Sequence, residues 1–254
     1  MSPMKDHPHA NRILNLEGTG NVRDLGGLET GPNTHTVSGR FLRADSLHDL
    51  GVGAQMMLLE SGLKTVIDLR SPKELERFPN PFADHDEVKY LNVSLFGSLF
   101  ESEDANAIMP SLEGIYVSAL EMCRPAIRTV LETMAHSESL TLFHCTAGKD
   151  RTGIIAALLL GNARVPDEAI AEDYALTEKL AKPMLERLLE EGVNDGMERE
   201  SFSKLLTAQA STMHATLGYL EGRFGGVENY LKTGLELAPE TIEALRSKML
   251  EFHA

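Results

Sequence analysis

The segment from His144 to Gly153 contains a cysteine and an arginine whose side chains could do chemistry together. It reads His-Cys-Thr-Ala-Gly-Lys-Asp-Arg-Thr-Gly, so five residues separate Cys145 from Arg151. A thiolate is a good nucleophile, and the planar arginine fork grips two phosphoryl oxygens, which lysine cannot do bidentately. The pair would supply a nucleophile and an anion clamp in one loop, although the spacing alone also arises by chance in unrelated chains.

The flanking residues predict that this segment connects a strand to a helix. Leu140 to Phe143 is a short apolar strand, and Thr152 to Leu160 is an apolar helix. At such a junction the loop N–H groups and the helix N-terminus converge where an anion can bind, and their positive field favours the thiolate. Gly148 permits the tight turn. The predicted phosphate-binding residues are Cys145, Thr146, Ala147, Gly148, Lys149, Asp150 and Arg151.

Two neighbours of the loop have more than one interpretation. His144 either orients the loop from the core or carries a proton. Thr152 either caps the following helix or donates its hydroxyl to the Cys145 thiolate. Both residues are therefore supporting candidates.

The rest of the chain predicts a sheet that would carry this loop. Strands are predicted at residues 13–16, 40–43, 65–69, 88–93 and 140–143. Strands alternate with helices in the first half and helices dominate the second, which is typical of an α/β protein. We predict a mostly parallel sheet of about four or five strands flanked by helices, within one domain over residues 1–254.

Helix boundaries follow from caps and prolines. Ser71 can cap a helix, Pro72 suits its first position, and Glu74 completes a capping box. The helices over about residues 166–224 form an excursion that could act as a lid. Other helices are predicted from Ser46 to Gly62 and at residues 112–134, 166–191 with a break at Pro183, 201–224, 227–231 and 239–252.

Composition excludes several classes of protein. The formal net charge of -14 at pH 7 argues against binding to nucleic acid or an anionic membrane. Cys123 and Cys145 are the only cysteines, too few for a disulfide framework. Residues 1–12 form a polar tail without a signal sequence, and no apolar run suits stable membrane insertion. We expect a cytoplasmic protein, or an effector exported without a leader.

The loop resembles the signature of the protein tyrosine phosphatase superfamily. His-Cys-x-x-Gly-Lys-Asp-Arg-Thr-Gly is similar in particular to the bacterial and fungal branch of atypical tyrosine phosphatases, which also act on phosphoserine, phosphothreonine or phosphoinositides. The resemblance spans about residues 15–250. Further similar segments are Asn21 to Gly27, Gly39 to Asp45, Val66 to Arg70 and Val227 to Leu231.

The resemblance implies a two-step reaction without a metal or organic cofactor. Cys145 would attack phosphorus to give a cysteinyl-phosphate, which water would hydrolyse to inorganic phosphate. The loop amides and Arg151 would stabilise the equatorial oxygens. The expected partner is a phosphorylated protein or a phosphoinositide.

The general acid is less clear from the sequence. Most of the superfamily uses an aspartate on a mobile loop that carries a tryptophan, but this chain has no tryptophan. Asp150, Asp68 and Asp104 are the candidates, and the resemblance implies Asp150. Asp68 ends a buried strand and could instead pair with Arg70. Asp104 lies in a polar loop with Glu101 and Glu103.

Several alternatives remain open at this stage. Lys149 could bind a second phosphate at the pocket mouth or be a solvated surface residue. Arg23 and Asp24 could reach the site or form a structural ion pair. Two other kinds of protein have a related loop. A rhodanese-like sulfurtransferase has a reactive cysteine there but usually lacks the arginine. An inactive phosphate-binding module usually loses either the cysteine or the arginine.

Overall fold

A five-stranded, mostly parallel sheet forms the centre of the protein. The computed structural model describes residues 12–100 and 111–250. The sheet order is β1-β4-β7-β5-β6, with only β1 antiparallel, which confirms the predicted fold class. The strands are β1 (Arg23–Asp24), β2 (Glu29–Gly31), β3 (Thr34–His35), β4 (Phe41–Ala44), β5 (Leu63–Asp68), β6 (Lys89–Asn92) and β7 (Leu140–His144), of which β2 and β3 form a separate pair.

Helices cover the sheet and make up most of the second half of the chain. Within the described residues, no helix is both long and apolar enough to span a membrane. The helices are α1 (Val52–Glu60), α2 (Pro72–Arg77), α3 (Gly97–Phe100), α4 (Leu112–Met122), α5 (Arg124–His136), α6 (Asp150–Asn162), α7 (Asp167–Leu180), α8 (Lys182–Asn194), α9 (Arg199–Leu206), α10 (Ala210–Phe224), α11 (Val227–Asn229), which a π-helical turn (Tyr230–Gly234) follows, and α12 (Pro239–Met249).

Both faces of the central strands are buried. Along β5 and β7 the side chains alternate, so that Ile67 and Phe143 pack in the larger core and Val66 and Leu142 in the smaller one. A strand buried on both faces reads as a continuous apolar run, which is why these strands were predictable. The C-terminal edge of the sheet, where open α/β sheets bind ligands, is where β7 meets the predicted loop.

Two predicted element starts were wrong. Residues 13–16 form no strand, and only an isolated bridge joins Ile13 to Arg23. The helix predicted from Ser46 begins at Val52. Ser46 cannot cap it because it lies five residues before the N-cap, Gly51, and its hydroxyl instead accepts a hydrogen bond from Arg70 Nη1 at 2.9 Å.

Two predicted long helices are each divided. The helix over 112–134 breaks at Cys123, because Pro125 lacks an N–H group and disfavours helical continuation from the preceding turn. The helix over 201–224 breaks at Thr207, which is extended. The break near Pro183 is confirmed, between α7 and α8.

Several predicted segments fall partly or wholly outside the described residues. The last helix ends at Met249 rather than at residue 252, which is not described. The tail up to residue 11 and the acidic loop residues Glu101, Glu103 and Asp104 also lie outside the described residues.

Candidate active site

The predicted loop lies at the C-terminal end of β7, in the middle of the sheet. β7 ends at His144 and α6 begins at Asp150, two residues before the predicted helix start. Gly148 has a φ of +66°, and a Cβ there would lie 2.5 Å from Ala44 O. Glycine is therefore required both for the left-handed backbone and for the close approach to β4.

The loop's carbonyl groups are bound by the surrounding protein, whereas its N–H groups are open. Within residues 12–100 and 111–250, no hydrogen bond is made by the N–H groups of Thr146, Ala147, Gly148 and Lys149. Because each peptide is planar and trans, a carbonyl bound on one side leaves the next N–H facing the other. The carbonyl contacts are Ser46 N to Thr146 O (2.9 Å), Asn21 Nδ2 to Ala147 O (2.8 Å) and Arg43 Nη2 to Gly148 O (2.9 Å). The loop is thus a cradle for an anion.

Arg151 is held next to this cradle by Glu74. Arg151 Nη1 lies 2.7 Å from Glu74 Oε2, Nη2 lies 2.9 Å from Oε1, and Nη2 also donates to Thr146 Oγ1 at 3.1 Å. Burial disfavours the cation, but the hydrogen bond to Glu74 and the charge of Cys145 raise the pKa of Arg151. Cys145 itself is only 2% exposed. Sequence reasoning missed the Glu74 contact.

Glu74 connects the start of α2 to the loop. The predicted capping box is confirmed, with Glu74 N–H donating to Ser71 Oγ and Ser71 N–H donating to Glu74 Oε2 at 2.8 Å. Burial raises the pKa of Glu74, but Arg151 and Thr146 outweigh it and lower that pKa to about 2. One carboxylate therefore completes a helix cap and an ion pair.

Glu74 should make acid stability depend on pH. Its pKa is lowered in the folded protein from 4.5 to about 2, so its contribution is complete above pH 4.5 and is lost as the pH falls towards 2. Glutamine does not titrate. We expect the melting temperature of wild type to exceed that of Glu74→Gln at pH 6, and the difference to shrink by pH 3. A difference that is constant across this range in thermal melts would contradict the assigned ionisation.

Asp150 lies in the first turn of α6 with 31% of its side chain exposed. Its Oδ1 accepts a hydrogen bond from Tyr116 OH at 2.8 Å and lies 3.2 Å from Lys149 Nζ. Tyr116 OH also lies 2.7 Å from Tyr174 OH. Burial raises the pKa of Tyr116 well above its usual value, so Tyr116 stays protonated and can donate. Nothing in the sequence indicated that Tyr116 would reach the loop.

Lys149 is buried rather than solvated. Its side chain is 1% exposed, and Nζ donates to Leu205 O and, at 3.1 Å, to Thr207 O. These carbonyls lie at the C-terminal end of α9, where the helix dipole favours a cation. The ammonium therefore joins the loop to α9, and the expectation of a solvated surface lysine was wrong. Binding of a second phosphate by Lys149 stays a prediction.

His144 and Asp68 form a buried network beneath the loop. His144 Nε2 lies 3.2 Å from Asp68 Oδ2 and 2.8 Å from Asn80 Nδ2. Asp68 also binds Arg70, with Nη2 to Oδ2 at 2.7 Å, as one sequence alternative proposed. Burial opposes ionisation, but His144 and Arg70 hold the pKa of Asp68 below its usual range. Asp68 is fully buried and bonded to these partners.

Thr152, Arg23 and Asp24 have surroundings other than those that the sequence suggested. Thr152 is buried, and its hydroxyl has no hydrogen-bond partner among the described residues. Arg23 and Asp24 do not pair with each other. Asp24 accepts from Gly26 N–H and Gly39 N–H, both at 2.7 Å. Arg23 instead turns inward to other buried groups.

A cavity of about 750 Å³ opens over Asp150 and Arg151. Its walls are largely apolar and come from α2, α4 and α9 together with the chain after β6. The apolar lining residues are Pro72, Phe96, Leu112, Ile115, Phe202, Leu205 and Leu206. An anion bound in the cradle would carry its organic part into this cavity.

A family model described as the tyrosine phosphatase family matches residues 14–251. The chain belongs to the tyrosine phosphatase family. This phosphatase is 31% identical over 219 residues to a tyrosine-protein phosphatase of Nostoc commune, covering 82% of the chain and 74% of that relative. Family membership makes the protein a phosphoric monoester hydrolase.

A second relative of this phosphatase is PtpB of Mycobacterium tuberculosis, a triple specificity protein phosphatase. It is 23% identical over 280 residues, covering 94% of the chain and 99% of PtpB. The solved structure of P. aeruginosa TpbA in complex with pTyr matches at 14% identity and a TM-score of 0.41, covering 84% of the chain and 95% of TpbA. That likeness is too distant to carry a conclusion.

Proposed function

We propose that this phosphatase hydrolyses phosphomonoesters through a cysteinyl-phosphate on Cys145. Phosphotyrosine is the preferred substrate, with phosphoserine, phosphothreonine or phosphoinositides as further ones. The observation that carries the proposal is the cradle of four open N–H groups, at Thr146, Ala147, Gly148 and Lys149, between Cys145 and Arg151. A phosphoryl group bound there would meet the nucleophile on one side and the clamp on the other.

The first step forms a sulfur–phosphorus bond and breaks the phosphorus–oxygen bond to the leaving group. Asp150 supplies the proton that this oxygen needs. The loop N–H groups and Arg151 stabilise the charge on the equatorial oxygens in the transition state. In the second step water attacks phosphorus, Asp150 takes its proton, and the sulfur leaves as a thiolate. The Thr152 hydroxyl bonds no described group in this structure, Cys145 included, and would have to turn to the sulfur to ease this departure.

The contacts of Asp150 support its assignment as the general acid. Asp150 lines the cavity, and within residues 12–100 and 111–250 both contacts to its carboxyl group fall on Oδ1. Oδ2 is therefore open to hold the transferred proton next to a leaving group. Asp68, by contrast, is fully buried with its pKa held low, so it acts by supporting His144 and the loop.

The cavity supports aryl phosphates over multiply phosphorylated lipids. Its apolar walls suit the ring of phosphotyrosine. The Lys149 ammonium, which could have bound a second phosphate, is committed to α9 carbonyls. Phe202, Leu205 and Leu206 line the cavity from α9, so the helical excursion covers the substrate as a lid.

Tyr116 should matter for Asp150 although it lies outside the loop. In Tyr116→Phe, Asp150 loses the 2.8 Å hydrogen bond that fixes Oδ1. We expect kcat on phenyl phosphate to fall about tenfold, because one hydrogen bond to a charged group is lost, and kcat on p-nitrophenyl phosphate to change little. Tyr219→Phe is the control, since Tyr219 OH binds Glu121 instead. Equal kinetics for both variants would remove Tyr116 from the site.

One panel of assays tests the proposed function. Purified protein is assayed for phosphate release from p-nitrophenyl phosphate and phosphopeptides, for inhibition by vanadate, and for transfer of sulfur from thiosulfate to cyanide. We expect phosphate release that vanadate blocks. Sulfur transfer without phosphate release would favour the rhodanese-like alternative. Tight binding of phosphopeptide without release would favour an inactive phosphate-binding module.

A further inference from the structure

A cluster of buried charges lies beneath the phosphate loop. Asp173 of α7 is fully buried and pairs with Arg12 Nη2 at 2.7 Å, Arg23 Nε at 3.2 Å and Arg43 Nη1 at 2.6 Å. The three arginine side chains are at most 5% exposed. Burial raises the pKa of Asp173, but the arginines outweigh it and keep the carboxylate ionised. Three arginines from the N-terminal part of the chain thus meet at one carboxylate of α7.

Among the described residues, the buried groups behind the loop carry more positive charge than Asp173 neutralises. Arg23 and Arg43 bring two guanidinium groups to this one carboxylate. Burial, and after it repulsion by Arg43, lowers the pKa of Arg23 to about 9. In a chain of net charge -14, this is a concentrated positive region close to the candidate site.

Two consecutive carbonyls of the loop are bound from this cluster. Arg43 pairs with Asp173 through Nη1 and donates to Gly148 O through Nη2 at 2.9 Å. Arg23 Nη1 donates to Asn21 Oδ1, and Asn21 Nδ2 donates to Ala147 O at 2.8 Å. Fixing these two carbonyls fixes the planes whose N–H groups belong to Gly148 and Lys149. These are two of the four open N–H groups of the cradle.

We propose that Asp173, Arg43, Arg23 and Asn21 are positioning residues that set the phosphate loop in its anion-binding conformation and supply positive potential from behind it. The proposal rests on the proposed function of the loop. Asp173 holds the guanidinium groups, Arg43 and Asn21 transmit that order to the loop carbonyls, and the loop N–H groups then face the phosphate without rearrangement. None of the four residues needs to touch the substrate.

Arg43→Lys and Asn21→Ala test this arrangement. The first removes the Arg43 bond to Gly148 O, and the second removes the Asn21 bonds to Ala147 O and, at 3.4 Å, to Gly148 O. Lysine keeps the charge beside Asp173 but cannot also donate to Gly148 O. We expect either variant to bind inorganic phosphate about tenfold more weakly in calorimetry, as for loss of one charge-assisted hydrogen bond. We also expect iodoacetamide to alkylate Cys145 more slowly than in wild type at the same pH, since the loop N–H groups no longer surround the sulfur in one fixed arrangement.

Arg12→Lys is the matched control. Arg12 Nη2 binds Asp173 Oδ1 and Arg12 Nη1 donates to Asp24 O at 2.7 Å, and neither contact is to the loop. We expect Arg12→Lys to lower the melting temperature, but to leave the phosphate affinity and the rate of Cys145 alkylation within about twofold of wild type. Asn21→Ser, which keeps a small polar side chain, replaces Asn21→Ala if that variant does not fold.

The outcomes separate this inference from the proposed function. Suppose that wild type binds phosphate, and that folded Arg43→Lys and Asn21→Ala have the same phosphate affinity and the same rate of Cys145 alkylation as wild type. This result would overturn the positioning role alone. Equal losses in Arg12→Lys would overturn it too, because they would show a general effect of stability. A wild-type protein that binds no phosphate would overturn the proposed function and this inference together.

Discussion

Cys145→Ser is expected to lose hydrolysis of p-nitrophenyl phosphate by a factor on the order of 10⁴ or more, as for removal of a covalent nucleophile. A serine hydroxyl at this position has no base to ionise it, whereas the cradle and Arg151 favour a thiolate. The cradle itself is backbone, so Cys145→Ser should still bind phosphate or a phosphopeptide. Steady-state kinetics and calorimetry on the same preparation measure both effects.

Cys123→Ala provides the control for this experiment. Cys123 is the other cysteine of the chain and is buried in the larger core at the break between α4 and α5, outside the loop. It should lose some stability and keep its kcat. Retention of more than a few per cent of activity in Cys145→Ser, or equal losses in both variants, would contradict the role of Cys145 as nucleophile.

Asp150→Asn should have the second largest effect, and one that depends on the leaving group. Asparagine keeps the hydrogen-bonding shape but cannot donate an acidic proton to the departing oxygen. We expect kcat on phenyl phosphate or phosphoserine to fall by about 10² to 10⁴, the range for general acid catalysis. On p-nitrophenyl phosphate, whose leaving group needs little protonation, the rate of the first step should fall much less.

Asp104→Asn tests the competing assignment of the acid. Asp104 was an alternative from the sequence and lies outside the described residues, so kinetics must decide its role. We expect Asp104→Asn to keep the leaving-group dependence of wild type. If Asp104→Asn instead loses far more kcat on phenyl phosphate than on p-nitrophenyl phosphate, and Asp150→Asn matches wild type, the acid is Asp104, and Asp150 only braces the loop.

The sheet and the loop were predictable from the sequence because their signals are local. The buried strands β5 and β7 are continuous apolar runs, and the capping box at Ser71 and Glu74 marks the start of α2 directly. The position of the cysteine and arginine between a strand and a helix then indicated an anion site. Each of these signals lies within a few neighbouring residues.

The partners of the loop were not predictable, because they depend on how distant segments fold together. Asp173 lies 130 residues after Arg43, and Tyr116 lies 34 residues before Asp150. The burial of Lys149 was not predictable for the same reason. Its charge suggested an exposed position at the pocket mouth, but the distant helix α9 covers its side chain. Contacts of this kind come from the tertiary fold and leave no pattern in neighbouring residues.

The most direct test of the mechanism is to look for the covalent intermediate. Wild type is mixed with excess p-nitrophenyl phosphate, quenched in acid during turnover, digested and analysed by mass spectrometry. We predict one added phosphoryl group on the peptide that contains Cys145, and none in Cys145→Ser. Turnover without any phosphorylated peptide, under conditions that retain a thiophosphate standard, or phosphate on another residue, would contradict a cysteinyl-phosphate mechanism.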